Sequence, residues 1–171
     1  SEVIEKVLRY VAIDTESMDD QKQVPSTEKQ RTLAKLLADE LIEMGASNVR
    51  ISPNSYVYAD IPATTEKKVP SLGFISHMDT APSFSGKDVK PQIISNYQGD
   101  DICLNQTLGI SMGPGQFPDL LKYVGKTLIT TDGTTLLGAD DKAGVTEIMT
   151  MAQYFLSHPE LPHGEIHIGF T

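Results

Sequence analysis

Short runs rich in β-branched and aromatic residues alternate along this chain with segments whose apolar residues recur at helical spacing. That alternation restricts the fold to the α/β class, with a mixed, mostly parallel sheet flanked by helices. Val3, Ile4, Val7, Leu8 and Val11 mark an amphipathic helix over residues 2–12. Leu33, Leu36, Leu37, Leu41 and Met44 mark a second. Its entry reads as Val24-Pro25-Ser26-Thr27-Glu28, hydroxyl caps followed by an early acid, and Gly45 closes it at the C′ position. Ile148, Met149, Ala152, Phe155 and Leu156 give a third stripe. Val49–Ile51 and Ser55–Ile61 read as strands, and Ser71–Ser76 has the short apolar run expected of a buried parallel strand. Asp132-Gly133 sits between Leu128–Thr131 and Thr134–Leu137, a hairpin signal, and Glu165–Phe170 begins a further strand. Residues 81–125 are long for a structureless connection and point to a functional or stapled loop. Within them Gly113-Pro114-Gly115 is a turn rather than a phosphate loop, and Phe117–Leu121 a helical turn.

The length of 171 residues suits one domain with a sizeable core. Acidic residues outnumber basic ones to a net charge of -9, scattered rather than clustered. A basic face for nucleic acid or an anionic membrane is therefore not expected. The single cysteine, Cys103, excludes an internal disulfide and fits a reducing, cytoplasmic setting. No apolar run reaches membrane-spanning length, and charges interrupt the first residues, unlike a signal peptide.

Two clusters stand out. His77 and Asp79 end the Ser71–Ser76 strand in His-x-Asp spacing, and residues i and i+2 of a strand share a face. Imidazole is the commonest zinc ligand, and a nearby carboxylate fixes its tautomer. Asp140 and Asp141 follow Leu136-Leu137-Gly138-Ala139 at the start of the third helix. One Asp there serves as a helix cap; a second is free for other work. Each cluster alone has a bland account, a solvated strand end or a capped helix. Together they place imidazole and carboxylates at one edge of an α/β sheet. His158, His163 and His167 read as surface or structural, since Gly164 and a strand pattern break the helix that an HExxH-type site needs.

The segments Gly73–Pro82 and Leu137–Gly144 resemble the two N-terminal metal motifs of the aminoacylase/carboxypeptidase superfamily of dizinc hydrolases. Ser85–Ile94, Thr127–Gly133, Val24–Glu28 and Pro162–Glu165 are similar to its tripeptide aminopeptidase branch, so the resemblance runs along essentially the whole chain. It implies a zinc-exopeptidase-like catalytic domain of which residues 1–171 are the N-terminal part. An inserted lid and dimerisation domain and the C-terminal part of the catalytic domain would then be absent. It implies two zinc ions in an intact site, with His77 ligating one and Asp140 bridging both. Asp79 becomes the catalytic-site acid that orients His77, Asp141 is not a ligand, and the Asp140–Asp141 peptide is cis. The activity implied is release of the N-terminal residue from tripeptides. The superfamily's general-base Glu-Glu motif is expected just after Thr171, so the chain alone is expected to bind zinc weakly and to be inactive. A sheet left incomplete there is expected to favour self-association. The alternatives are a non-catalytic binding module and another dizinc amidohydrolase or dipeptidase, the latter disfavoured by the long Thr80–Thr127 segment.

Overall fold

The apolar stripes fold as helices that meet in one core. The computed structural model describes residues 2–171. Helix α1 spans Glu2–Val11 and buries Lys6, Tyr10 and Val11. Helix α2, Gln30–Met44, buries Leu33, Ala34, Leu37, Ala38 and Leu41 along one side. It stops at Gly45, whose φ of 90° lies in the left-handed region where a Cβ is strained. There the Gly45 N–H donates to the Ile42 carbonyl and the Ala46 N–H to that of Leu41, pairing two of the carbonyls of the last turn. The other end of α2 departs from the expected cap. Lys29 occupies the N-cap without a side-chain bond. The hydroxyls are taken elsewhere: Thr27 donates to the Glu16 carbonyl at 2.8 Å, and Ser26 accepts the Met18 N–H at 3.1 Å. Hydroxyl side chains bind nearby backbone as readily as they cap, and here they tie down the loop after α1.

Strands β1 (Ser47–Ile51), β2 (Val57–Ile61) and β3 (Leu72–Ser76) come next, then β4 (Gln92–Ile94), β5 (Ile102–Asn105) and β6 (Ile110–Met112). A 3-10 turn at Pro118–Tyr123, β7 (Leu128–Thr130), helix α3 (Ala139–Ser157) and β8 (Ile166–Phe170) complete the order. The main sheet has the order β1-β2-β8-β3. It is mixed: β2 runs antiparallel to β1 and β8, while β8 and β3 are parallel, with Phe74 opposite Ile168. Val57, Ala59, Ile61, Ile166, Ile168 and Phe170 point to one face and pack on Leu33, Leu37, Leu41, Val145, Met149 and Ala152. Each such large side chain removed from water contributes about 1.5–3 kcal/mol, so this single seam carries the fold. The opposite face presents Tyr58, Asp60 and His167, with the Arg50 guanidinium 4.8 Å from the Tyr58 ring centre.

Two strand expectations need correction. The Ser71–Ser76 run does form a parallel strand, but at the sheet edge, where Leu72 and Ile75 are exposed. Burial on both faces needs a packed layer above and below the strand, which a run of residues does not specify. The hairpin around Asp132-Gly133 does not form. Strand β7 pairs with β4 instead, Ile129 opposite Ile93. The Asp132 carboxylate accepts the Thr134 N–H at 2.9 Å and its hydroxyl at 2.5 Å, so the dipeptide closes a local side-chain turn. From there to α3 the chain is a loop, held by the Leu136 N–H on the Ser85 carbonyl. Among the described residues, no helix is long and apolar enough to cross a membrane.

Candidate metal centre

The carboxyl ends of the parallel strands β3 and β8 lie side by side, and this fixes the His-x-Asp segment. The Thr171 N–H donates to the Ser76 carbonyl at 3.1 Å, and the Met78 N–H to the Thr171 carbonyl at 2.7 Å. Met78 is buried, which turns its neighbours His77 and Asp79 the other way. His77 Nδ1 lies 3.0 Å from the Asp79 carbonyl oxygen and 3.1 Å from Asp79 Oδ1. Its Nε2 lies 3.0 Å from Asp140 Oδ1, a contact between residues 63 positions apart. Burial alone would push the imidazole pKa down. The Asp140 and Asp79 carboxylates, with the Asp79 carbonyl, outweigh it and hold the pKa above the ordinary value.

Asp140 does not arrive from a strand end, as its sequence context implied; residues 134–138 form a loop. Gly138 turns that loop with φ 79°, and a Cβ there would meet Thr80 Cγ2 at 3.0 Å. Asp140 and Asp141 have non-helical backbone, and the peptide between them is cis. The helix proper begins after them, and the two carboxylates divide their work. Asp141 caps: its Oδ1 accepts the Gly144 N–H at 3.2 Å, and its Oδ2 lies 2.7 Å from the Ser76 hydroxyl. Asp140 does not cap, and its side chain is 95% exposed apart from the His77 contact. A Cβ at 144 would stand 2.6 Å from Asp141 Oδ1, so any larger residue there has to displace that carboxylate.

The donor set suits a divalent metal such as zinc, which takes imidazole nitrogen and carboxylate oxygen. With Nδ1 engaged by Asp79, Nε2 is the nitrogen left to bind, and a cation there would replace its contact with Asp140. Among the described residues, no three His, Cys, Asp or Glu side chains gather into a group that could hold a metal. His77 and Asp140 are therefore a pair of donors, and Asp79 stands behind His77.

Sequence reasoning missed two polar groups that pack beside this pair. Ser76, inside an apolar run, bonds Asp141. Lys142 is 1% exposed, and its ammonium donates to the Ile13 carbonyl at 2.6 Å. Burial pushes its pKa down to about 8, against the pull of Asp14. The two-residue period of a strand, which sets Ser76 on the face of Phe74, is the signal that could have found Ser76; nothing in the sequence signals Ile13. The remaining histidines stay apart from the site: His158 contacts Glu160, His163 the Gly164 carbonyl, and His167 Asp60. A cleft of about 360 Å³ opens beside Asp79, lined by amide and hydroxyl side chains that include Gln23, Gln30, Asn54 and Ser55. A larger cavity of about 530 Å³ lies among α1, α2 and α3 and holds none of the candidate donors.

No protein-family model matches the chain. Peptidase T of Clostridium acetobutylicum is 58% identical to it over 170 residues, 99% of this chain. Peptidase T of Desulfitobacterium hafniense is 56% identical over all 171. These residues are homologous to part of peptidase T. The chain spans about 42% of the length of those peptidase T relatives. The crystal structure of the aminopeptidase PepT from Bacillus cereus superposes on 99% of this chain and 35% of that one, with a TM-score of 0.65 at 22% identity. The main sheet, its covering helices and the loop carrying Asp140 thus belong to the peptidase T fold.

Proposed function

We propose that these residues serve a zinc-dependent aminopeptidase that releases the N-terminal residue of tripeptides, as the N-terminal part of its catalytic domain. The observation that carries this reading is the approach of His77 Nε2 to Asp140 Oδ1 at 3.0 Å, with Nδ1 held by Asp79. The 58% identity to a peptidase T supports the reaction class. His77 and Asp140 would hold the zinc, and Asp79 would keep the imidazole in the ligating tautomer. Zinc in such a site polarises a carbonyl and makes water a nucleophile near neutral pH. The exposed Asp140 carboxylate leaves room for a peptide to approach from solvent. The exposed free Cys103 supports work in a reducing compartment, the cytoplasm.

Among the described residues one imidazole and one carboxylate meet as donors, so these residues alone are expected to bind zinc weakly and to leave tripeptides uncleaved. Calorimetric titration with zinc tests the ligand assignment. Wild type should take up zinc, while His77→Ala and Asp140→Asn should lose it. Asp79→Asn should weaken it by roughly 10–100-fold, the usual cost of losing an orienting partner. Unchanged uptake in the His77 and Asp140 variants would remove the proposal. Assay of the full-length protein against tripeptides, dipeptides and acylated amino acids separates the substrate classes.

A further inference from the structure

The two metal motifs are joined by a third segment, Ile13–Ser17, that neither motif contains. On one side it grips the His77–Thr80 segment. The fully buried Thr15 donates its hydroxyl to the Met78 carbonyl at 2.7 Å, and its own carbonyl accepts the Thr80 N–H at 3.1 Å. The Ser17 N–H and hydroxyl both donate to the Thr80 carbonyl, at 2.9 and 3.0 Å. On the other side the Ile13 carbonyl accepts from Lys142, two residues past Asp140. The direct links between the motifs are the Ser76 hydroxyl at Asp141 and His77 Nε2 at Asp140 Oδ1. Both lie on the His77 side of the loop; the Lys142 tether adds a fixed point beyond Asp141.

We propose that Lys142 is a positioning residue for the metal centre, holding Asp140 at its spacing from His77 and Asp79 through the Ile13–Ser17 crosspiece. The inference rests on the zinc reading above and adds to it a group that touches neither metal nor substrate. Ligand spacing matters because metal–ligand distances tolerate only about 0.2 Å of error. An ammonium this deeply buried is costly for the fold, and an apolar side chain would fill the same space at less cost. That cost is understandable if the tether to Ile13 has a task.

The test uses zinc calorimetry and the visible absorption of the cobalt(II)-loaded chain, which reports ligand geometry without any turnover. Lys142→Met should weaken zinc binding about ten-fold or more and alter the cobalt spectrum. Thr15→Val, at the far end of the crosspiece, should do the same, and Thr15→Ser should restore both readouts. If one tether connects the two, the double variant should bind no more weakly than Lys142→Met alone. Ile168→Val, which thins the core away from the crosspiece, should leave both readouts unchanged. Wild-type affinity and spectrum in Thr15→Val, or strictly additive losses, would overturn the inference, even if Lys142→Met does not fold. Wild type that takes up no zinc would instead overturn the metal centre itself and this role with it.

Discussion

At the scale of single residues, two histidine–carboxylate contacts do different things. His77 is caught between two acids, and only one of them, Asp79, holds the ring from the strand side. His167 lies on the uncovered face of the sheet, 2.7 Å from Asp60. Its pKa is raised, chiefly by that Asp60 contact; Asp60 is lowered, chiefly by His167 and then by the Asn48 amide. A raised histidine stabilises the fold below its unfolded pKa, about 6.5, and loses that contribution as pH climbs through the folded value. A lowered aspartate stabilises above about 3.9 and loses it as pH falls through its folded value. The pair therefore contributes in a window from about pH 4 to about pH 6.5. The melting temperature of His167→Gln should fall below wild type most clearly near pH 5.5, and the gap should narrow as pH rises through the folded value of His167. A difference that is constant with pH, by thermal circular dichroism, would show that the ion pair is not its source.

At the scale of elements, the start of α3 shows why two adjacent acids are used. Asp141 supplies the cap that any helix start asks for, and Asp140 is left with its carboxylate in solvent beside His77. Gly144 makes that division workable by leaving room for the Asp141 carboxylate. In Gly144→Ala, the better helix propensity of alanine gains about 1 kcal/mol. Displacing Asp141 loses a cap worth roughly 1 kcal/mol and the Ser76 bond, a charge-assisted one worth about 1.5–3 kcal/mol. The losses win, so urea unfolding should show a net destabilisation of about 1–3 kcal/mol. An equal or higher midpoint would mean that the carboxylate finds another seat. The same element-level view explains the missed hairpin: Asp132 satisfies Thr134 locally, and β7 finds a better partner in β4.

At the scale of the molecule, the main sheet is covered by helices on one face, and its β3 edge carries no partner strand among the described residues. Ile75 on that edge is 75% exposed, and Leu72 is exposed beside it. Unpaired apolar edges of this kind recruit further strands, so the chain is expected to self-associate through β3. The net charge of -9 opposes contact between copies, and salt screens that repulsion. Light scattering should therefore show a mass that rises with concentration and with ionic strength, and Ile75→Lys should abolish the rise. A monomer at every dilution would count against the edge as a contact.

The sequence by itself determined the helices, the C-terminal stop of α2 at Gly45, the strand character of residues 57–61, 72–76 and 166–170, and the presence of a His-x-Asp and an Asp-Asp cluster beside them. Those features are local: a 3.6- or 2-residue period, a glycine where φ must be positive, and side chains whose chemistry is intrinsic. Only the tertiary structure decided that β3 lies at an edge, that Asp140 comes off a loop, and that Asp141 rather than Asp140 caps α3. It alone brought Ser76, Thr15, Lys142 and the Ile13 carbonyl together around the site. Burial and hydrogen-bond partnership depend on what arrives from elsewhere in the chain. The 129 positions that separate Ile13 from Lys142 leave no periodic trace of the contact that closes over them.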